Sequence, residues 1–316
     1  MGSTGCRATL ERRRAVFVGV ARNCERHLDE VLKNLERLGA LYERVSFVFV
    51  VSDSQDGTAS ILGRWLASGH RGRVVDAGNL EGHLPLRTQR LAHVRNICME
   101  QISEGEEATY DHLIVVDLDD VLSAPISVNA FAKAARWLDG TSMRGGVFAN
   151  GRPRYYDIWA LRHDMWCPRD CWHQIWFRDP GQDERDLKAR EVFARMIRIP
   201  LWFPPIGVLS AFGGIGIYKL RLATTARYVG LDEQGRETCE HVAFNAAVRQ
   251  AGGRLYIFPA LIAWSPSEHI DQLAALPRRL RLLVIWRRLV MTVRCWLAAS
   301  SREATSLPSA PRSGMT

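Results

Sequence analysis

His112-Leu-Ile-Val-Val-Asp117-Leu-Asp119-Asp120 joins a short apolar run to three carboxylates within four positions. The run predicts a buried strand, because such apolar runs are typical of parallel sheets that are covered on both faces. Carboxylates packed this closely repel one another unless a cation relieves the charge. Mg²⁺ and Mn²⁺ prefer oxygen ligands, so Asp117 and Asp119 are candidate metal ligands. The alternative is a cluster that caps a helix, where acids are also favoured.

On both sides of this stretch, apolar runs alternate with segments of helical spacing. Strands are predicted over residues 15–20, 45–51, 73–76, 112–117, 155–162 and 254–258, and helices over residues 25–38, 59–67, 88–102, 126–138 and 240–251. This alternation predicts an α/β fold, with a parallel sheet and helices on both faces. Ligands of such sheets bind beyond the carboxyl ends of the strands.

Composition limits the class of protein. The chain has 316 residues, of which 47% are hydrophobic, enough for a sizeable core, and a net charge of +8. A basic chain suits an anionic partner, but no zinc-finger or RNA-binding motif occurs, so nucleic acid is not expected. The seven scattered cysteines do not form a disulfide framework, and no signal peptide or membrane-spanning stretch is recognised. A cytoplasmic location is expected.

A polar segment, Ser52-Asp53-Ser54-Gln55-Asp56-Gly57-Thr58, follows the second predicted strand. A carboxylate at this position can accept hydrogen bonds from a nucleotide base or from ribose hydroxyls. The alternative is a turn in which an Asp side chain binds its own backbone and Thr58 caps the next helix.

Three further motifs carry candidate site residues. Arg95, set among apolar residues of a predicted helix, can pair with a phosphate or with one of the acids. Gly213 and Gly214 allow close approach of a ligand or closure of a loop, although a β-bulge explains them nearly as well. Glu240 and His241 open a helix, where Glu240 is a candidate base and His241 assists it or caps the helix.

Two other segments leave alternatives open. A zinc site through His163, Cys167, Cys171 and His173 is the weaker interpretation of that segment, since structural zinc sites usually have tighter cysteine pairs. The basic and apolar stretch over residues 278–296 predicts either peripheral contact with a membrane or a packed terminal helix.

The order of these motifs resembles that of GT-A nucleotide-sugar glycosyltransferases, in particular the fungal capsule-type mannosyltransferase family and its bacterial relatives. The resemblance covers roughly residues 16–259. It rests on Ala21-Arg22-Asn23, residues 52–58, Arg95-Asn96, Asp117-Leu-Asp119-Asp120, Tyr156-Asp157-Ile-Trp159-Ala-Leu-Arg162, Gly213-Gly214 and Glu240-His241. It implies a GT-A, Rossmann-like fold with a mixed, mainly parallel sheet, an irregular second half and a C-terminal helix.

The resemblance also implies site residues and a domain organisation. Nucleotide-sugar contacts are predicted at Ala21, Arg22, Asp53, Asp56, Arg95, Asp117, Leu118, Asp119, Gly213 and Gly214, catalytic roles at Glu240 and His241, and Mn²⁺ or Mg²⁺ ligands at Asp117, Asp119 and His269. The predicted organisation is a flexible basic arm (1–14), a nucleotide-sugar-binding half (15–140), an acceptor-side half of the same domain (141–275), a basic apolar helix (276–299) and a disordered tail (300–316).

The implied activity is metal-dependent transfer of a hexose, with mannose as one candidate, in polysaccharide biosynthesis. The donor is a GDP- or UDP-sugar, and the acceptor is a glycan or a lipid-linked molecule. Two alternatives stay open. One is a phosphatase of the haloacid-dehalogenase type, with Asp117 as nucleophile and Asp119 as acid and base. The other is a non-catalytic protein that binds nucleotide sugars.

Overall fold

An eight-stranded sheet runs through the protein. The computed structural model describes residues 10–265 and 276–304. The strands are β1 (Leu10–Ala21), β2 (Tyr42–Val51), β3 (Gly72–Asp76), β4 (His112–Asp117), β5 (Arg144–Arg152), β6 (Ile206–Val208), β7 (Ile215–Lys219) and β8 (Arg254–Trp264). Their order is β3-β2-β1-β4-β7-β5-β8-β6, and only β6 and β7 run against the others. The predicted mixed, mainly parallel sheet is confirmed.

Helices cover both faces of this sheet, as predicted. They are α1 (Glu25–Gly39), α2 (Thr58–Ala67), α3 (Arg87–Glu104), α4 (Val128–Asp139), α5 (His173–Trp176), α6 (Glu184–Leu187), α7 (Leu220–Ala223), α8 (Glu240–Gln250) and α9 (Arg278–Ala304). Alternate strand residues face opposite layers. Val16 and Val18 join the core that contains α3 and α8, whereas Phe17 joins the core that contains α1 and α4.

The first four strands place the polar loop after β2 and the acidic residues after β4 at the same edge of the sheet. Their order, 3-2-1-4, is that of nucleotide-binding Rossmann folds. In the register, Ala21 lies beside Val51, and Val20 lies beside Asp117. Strand β1 separates β2 from β4, so the loop after β2 and the acids after β4 are two strand spacings, roughly 10 Å, apart.

The predicted strand over residues 155–162 is wrong. That segment is irregular, because Asp157 accepts a hydrogen bond from the Ala160 N–H (3.3 Å) and stabilises a turn. Strand β5 lies earlier in the chain, and its glycines interrupt the run of β-branched and aromatic residues that would predict a strand. A Cβ atom on Gly145 would come within 2.6 Å of Gly253 Cα, so close packing against the start of β8 requires glycine here.

Two predicted boundaries differ from the structure, while residues 1–9 of the predicted arm and 305–316 of the predicted tail lie outside the described residues. Strand β1 begins at Leu10, so the predicted arm overlaps it by five residues, and Arg13 forms ion pairs with Asp111 and Asp139. Helix α9 continues to Ala304, beyond the predicted boundary at residue 299. None of the helices that the structure describes combines the length and the apolar character needed to cross a bilayer.

Candidate active site

A cleft of about 840 Å³ opens at the carboxyl ends of β1, β2 and β4. This volume lies within the usual range for sites that bind small molecules and cofactors. Nine predicted residues line it: Ala21, Arg22, Asp53, Arg95, Asp117, Leu118, Asp119, Glu240 and His241. Asp56, Gly213 and Gly214 do not lie among the lining residues, and His269 lies outside the described residues.

One carboxylate oxygen of Asp53 has no hydrogen-bond partner in the part of the chain that the structure describes. Its Oδ1 atom accepts hydrogen bonds from the backbone N–H groups of Leu80 (2.8 Å) and Glu81 (2.9 Å). Its Oδ2 atom is buried and has no hydrogen-bond partner among the described residues. Burial alone would raise the pKa of Asp53, but the backbone N–H groups of Glu81 and Leu80, the Ser52 side chain and the charge of Arg22 together outweigh it and hold that pKa below its usual value. An unsatisfied buried acceptor costs about 1–3 kcal/mol, so Oδ2 is a candidate partner for a ligand.

The loops after β1 and β2 are tied together beside Asp53. Asn23 Oδ1 accepts a hydrogen bond from the Gln55 N–H (2.8 Å), and the Asn23 N–H donates to Ser54 Oγ (3.1 Å). Asn23 and Asp53 both have positive φ, at 52° and 53°, although neither is glycine. Such backbone strain is concentrated at functional sites, where the surrounding contacts hold it in place.

Asp56 has a different position from Asp53. Its carboxylate accepts hydrogen bonds from the Glu25 N–H (3.2 Å) and the Thr58 N–H (3.1 Å), at the starts of α1 and α2. Asp56 therefore forms the predicted turn, whereas the predicted cap is wrong, because Thr58 is the first residue of α2 and its hydroxyl accepts a hydrogen bond from the Cys24 N–H (2.8 Å).

Asp117 and Asp119 crowd negative charge at the end of β4. Burial raises the pKa of Asp117 to about 8, and the charge of Asp119 adds to the effect. Burial also raises the pKa of Asp119, whose Oδ1 atom accepts a hydrogen bond from the Val121 N–H (3.1 Å). Each carboxylate therefore favours a proton or a cation nearby.

The residues present suit a divalent cation that shares its ligands with a substrate. Among residues 10–265 and 276–304, no group of three or more His, Cys, Asp or Glu side chains could hold a metal alone. This result gives no support to the zinc alternative. Mg²⁺, however, is usually held by one or two carboxylates together with substrate phosphates and water. The Asp117 and Asp119 pair fits this kind of site.

Arg95 links the two halves of the cleft. Its buried guanidinium donates through Nε to Glu240 Oε1 (3.0 Å) and through Nη2 to Asp117 Oδ1 (3.2 Å). Burial alone would lower its pKa, but Glu240 and Asp117 outweigh it and raise the pKa of Arg95. Of the two predicted partners, phosphate or acid, the structure places Arg95 against acids.

His241 has an unusual environment for a buried histidine. Its ring stacks on Phe212, with centroids 4.0 Å apart. Both ring nitrogens are buried and lack a hydrogen-bond partner among the described residues, although Glu240 Oε1 lies 3.7 Å from Nε2. Burial and the charge of Arg95 hold the pKa of His241 well below its ordinary value, so the ring is neutral at pH 7. The neutral ring therefore has one N–H donor and one nitrogen acceptor that the described residues do not use.

Gly213 and Gly214 support the end of β4. The Gly214 carbonyl accepts a hydrogen bond from the Asp117 N–H (3.0 Å), and the Gly213 N–H donates to Asp157 Oδ2 (3.0 Å). Both glycines have positive φ, and a Cβ atom on Gly214 would come within 2.3 Å of Val121 Cγ1. Their predicted contact with the sugar stays a prediction.

Three tryptophans, Trp159, Trp172 and Trp176, form an aromatic wall on the cleft that the sequence did not single out as site residues. The rings of Trp172 and Trp176 are stacked, 5.6 Å apart, and Trp159 lies perpendicular to Trp176 at 5.7 Å. Asp170 accepts a hydrogen bond from Trp159 Nε1 (3.2 Å) and pairs with Arg162 (2.6 Å). The high density of tryptophan between residues 159 and 176 is the sequence feature that could have predicted this aromatic wall.

No protein-family model and no curated protein matches the chain. Solved structures are similar in fold at low identity. A mannosyltransferase from Pyrobaculum calidifontis, PcManGT, in complex with GDP-Man and Mn²⁺, is 16% identical, with a TM-score of 0.47 over 96% of this chain and 78% of that chain. S. aureus TarS in complex with UDP-GlcNAc is 15% identical, with a TM-score of 0.44 over 92% of this chain and 69% of that chain.

A third structure is glucosyl-3-phosphoglycerate synthase from Mycobacterium tuberculosis, in complex with Mn²⁺, UDP and phosphoglyceric acid. It is 15% identical, with a TM-score of 0.41 over 89% of this chain and 79% of that chain. Identities and TM-scores this low do not assign a function to this chain. Membership of the fungal capsule-type family therefore stays a prediction.

Proposed function

We propose that this protein is a metal-dependent glycosyltransferase that moves a hexose from a nucleoside-diphosphate sugar to a glycan acceptor. One observation carries the proposal. A single cleft contains Asp53 Oδ2 at the end of β2, which has no hydrogen-bond partner among the described residues, and the closely spaced carboxylates of Asp117 and Asp119 at the end of β4. A group that accepts hydrogen bonds and a site for a cation are the two features that a nucleoside diphosphate requires.

The donor would extend along the edge of the sheet. Asp53 Oδ2 accepts a hydrogen bond from a base N–H or a ribose hydroxyl, and the diphosphate lies towards β4. The separation of roughly 10 Å between these positions suits a nucleoside at one end and a diphosphate at the other. Arg22 lies on the cleft beside Ala21 and pairs with Glu81 (3.1 Å), with its side chain partly exposed.

Asp117 and Asp119 would hold Mn²⁺ or Mg²⁺. When bound, the cation neutralises charge on the departing diphosphate, which is otherwise a poor leaving group. Arg95 orients Asp117 through the hydrogen bond to Oδ1. The same guanidinium also holds Glu240, so it couples the donor side of the cleft to the acceptor side.

Glu240 and His241 would act on the acceptor hydroxyl in different ways. Glu240 Oε1 accepts a hydrogen bond from Arg95, and Oε2 accepts only the weak bond of the Cys239 thiol (3.9 Å) among the described residues, so Oε2 is the atom proposed to take the proton. The lowered pKa of His241 makes it a poor base. Its neutral ring can still orient a hydroxyl group, because it has both a donor and an acceptor available.

The aromatic wall supports a sugar as acceptor. Trp159, Trp172 and Trp176 present large apolar ring surfaces to the cleft. A pyranose has an apolar face of C–H groups, which loses contact with water when it packs on such rings. The wall therefore suits a glycan better than a small anionic acceptor.

Ligand-induced stabilisation tests the donor site. Thermal shifts should be measured with GDP-mannose, UDP-glucose and UDP-GlcNAc, with and without Mn²⁺, because a ligand that binds the folded state raises its stability. We expect one donor with Mn²⁺ to stabilise the protein. In Asp53→Ala the affinity for that donor should fall about 10- to 100-fold, since a hydrogen bond to a charged group contributes about 1.5–3 kcal/mol.

Asp29→Ala, on the exposed side of α1, is the matched control and should respond to the donor as the wild type does. A wild-type response in Asp53→Ala would contradict the nucleoside contact. Release of phosphate from sugar phosphates without a nucleotide would favour the phosphatase, and stabilisation without any donor hydrolysis would favour a binding protein.

The aromatic wall gives a separate prediction for the acceptor. Trp176→Ala should raise the KM for methyl α-mannoside up to about tenfold, because aromatic contacts contribute roughly 0.5–1.5 kcal/mol beyond the apolar area that they bury. Donor hydrolysis without acceptor should stay near the wild-type rate. Trp202→Ala removes a more exposed tryptophan that lies off the cleft and is the control. Equal losses of transfer and of donor hydrolysis in Trp176→Ala would contradict the acceptor role.

A further inference from the structure

Helix α9 carries an apolar stripe on the side that faces away from the protein. Six large apolar side chains, each 40–66% exposed, form it: Leu282, Ile285, Trp286, Leu289, Val293 and Trp296. At 3.6 residues per turn they fall within about 100° of the helix circumference. Leu280, Val284 and Cys295 occupy the opposite side and are buried. Contiguous exposed apolar surface of this kind marks a contact surface.

Arginines border the stripe on both sides. Arg281 lies on one side of it, and Arg279 and Arg294 lie on the other, all of them exposed, although Arg279 also lies 3.7 Å from Asp186. The exception is Arg288, which is buried and donates through Nε to the Phe193 carbonyl (2.8 Å). The arginines of α9 therefore have two roles: Arg288 stabilises the packing of the helix, and the exposed arginines lie at the surface.

A basic pocket adjoins the stripe. This cavity of about 330 Å³ lies between α9 and the loop region before β6, and Trp286 lines it while also belonging to the stripe. Four arginines line the pocket: Arg190, Arg195, Arg287 and Arg294. Arg195 pairs with Glu191, whereas no ion pair is found for Arg287 or Arg294 within residues 10–265 and 276–304. Guanidinium groups in this arrangement suit a phosphate.

We propose that α9 docks on an anionic phospholipid surface, with the apolar stripe at the level of the upper acyl chains and the basic pocket holding a lipid phosphate. Apolar and basic groups on one helix favour this surface, since the apolar groups leave water while the arginines meet negative headgroups. The two tryptophans of the stripe are residues that favour the boundary between headgroups and acyl chains. This surface is separate from the donor cleft.

Charge argues against two other occupants. A second copy packed stripe against stripe in a two-fold contact would bring the same arginines together, and like charges repel. Residues 305–316 contain no Asp or Glu, so that segment of the chain offers no carboxylate to the arginines.

Vesicle sedimentation with the full chain tests the proposal. Vesicles of phosphatidylcholine alone are compared with vesicles that contain about 30% phosphatidylserine, in 0.1 M NaCl. We expect at least about tenfold stronger partitioning onto the phosphatidylserine vesicles, with a marked loss in 0.5 M NaCl, because salt screens exposed charges. Equal partitioning onto both compositions, or none onto either, would overturn the proposal.

Variants separate the stripe from the pocket. Leu289→Glu should weaken partitioning at least about tenfold, while Met143→Glu, at an exposed apolar residue just before β5, should retain it. The double variant Arg287→Gln/Arg294→Gln should lose the preference for phosphatidylserine. Unchanged melting temperatures and donor hydrolysis show that these variants are folded. Wild-type partitioning by Leu289→Glu, or a concentration-dependent dimer that Leu289→Glu abolishes, would refute the lipid surface.

Discussion

Replacing Asp119 by alanine is expected to lower metal-dependent turnover on the order of 10²–10³-fold, the loss typical when one group that stabilises transition-state charge is removed. Asp119 is one of only two carboxylates proposed to hold the cation, and a single remaining ligand would hold it weakly. The fold should persist. The raised pKa of Asp119 shows that its charge is unfavourable in the folded state, so removal of the carboxylate relieves repulsion with Asp117.

The measurement is release of nucleoside diphosphate from the donor sugar at increasing Mn²⁺, together with the melting temperature. Asp119→Asn retains an acceptor for the Val121 N–H, whereas Asp119→Ala loses it, at a cost of about 1 kcal/mol. Comparing the two separates the capping role from the metal role. Asp164→Asn removes an exposed carboxylate away from the cleft and should have wild-type activity. Metal-dependent turnover at the wild-type rate in Asp119→Ala would refute the assignment.

Replacing Arg95 by methionine is expected to lower both stability and turnover. The change removes the cation that lies between Asp117 and Glu240 and leaves two carboxylates without their partner in a buried site. Breaking a buried ion pair from one side typically costs about 3–5 kcal/mol. Turnover should fall as well, because both carboxylates lose the group that orients them.

Urea unfolding measures this cost. The double variant Arg95→Met/Glu240→Gln should lose less free energy of unfolding than the two single variants lose together. The difference should be about 1 kcal/mol or more, because the two residues are in contact. Arg71→Gln breaks an ion pair with Glu106 in which Arg71 is exposed, and such surface pairs contribute about 0–1 kcal/mol. If Arg95→Met unfolds at the same urea concentration as the wild type, the link between the two carboxylates does not stabilise the fold.

Some of the fold and of the site could be read from short stretches of sequence. The apolar run that ends in Asp117 predicted β4, and the polar segment after residue 51 predicted a loop whose Asp53 lines the cleft. Both predictions depend on local features, namely a run of residues that suit a buried strand and the polar residues that follow it. Strand β5 was missed because its glycines have little strand preference of their own, and contacts with β7 and β8 stabilise it.

Only the tertiary structure decides which distant residues meet. Arg95 and Glu240 are 145 positions apart, and the sequence could predict a charged partner for each without pairing them. The aromatic wall depends on where the loop after β5 lies relative to the cleft, which no periodic pattern records. Alternating strand residues and helical spacing are local properties, so the sequence alone is enough to predict the layers of the fold. The site forms where strand register and long-range packing bring separate segments together, and those depend on the whole chain at once.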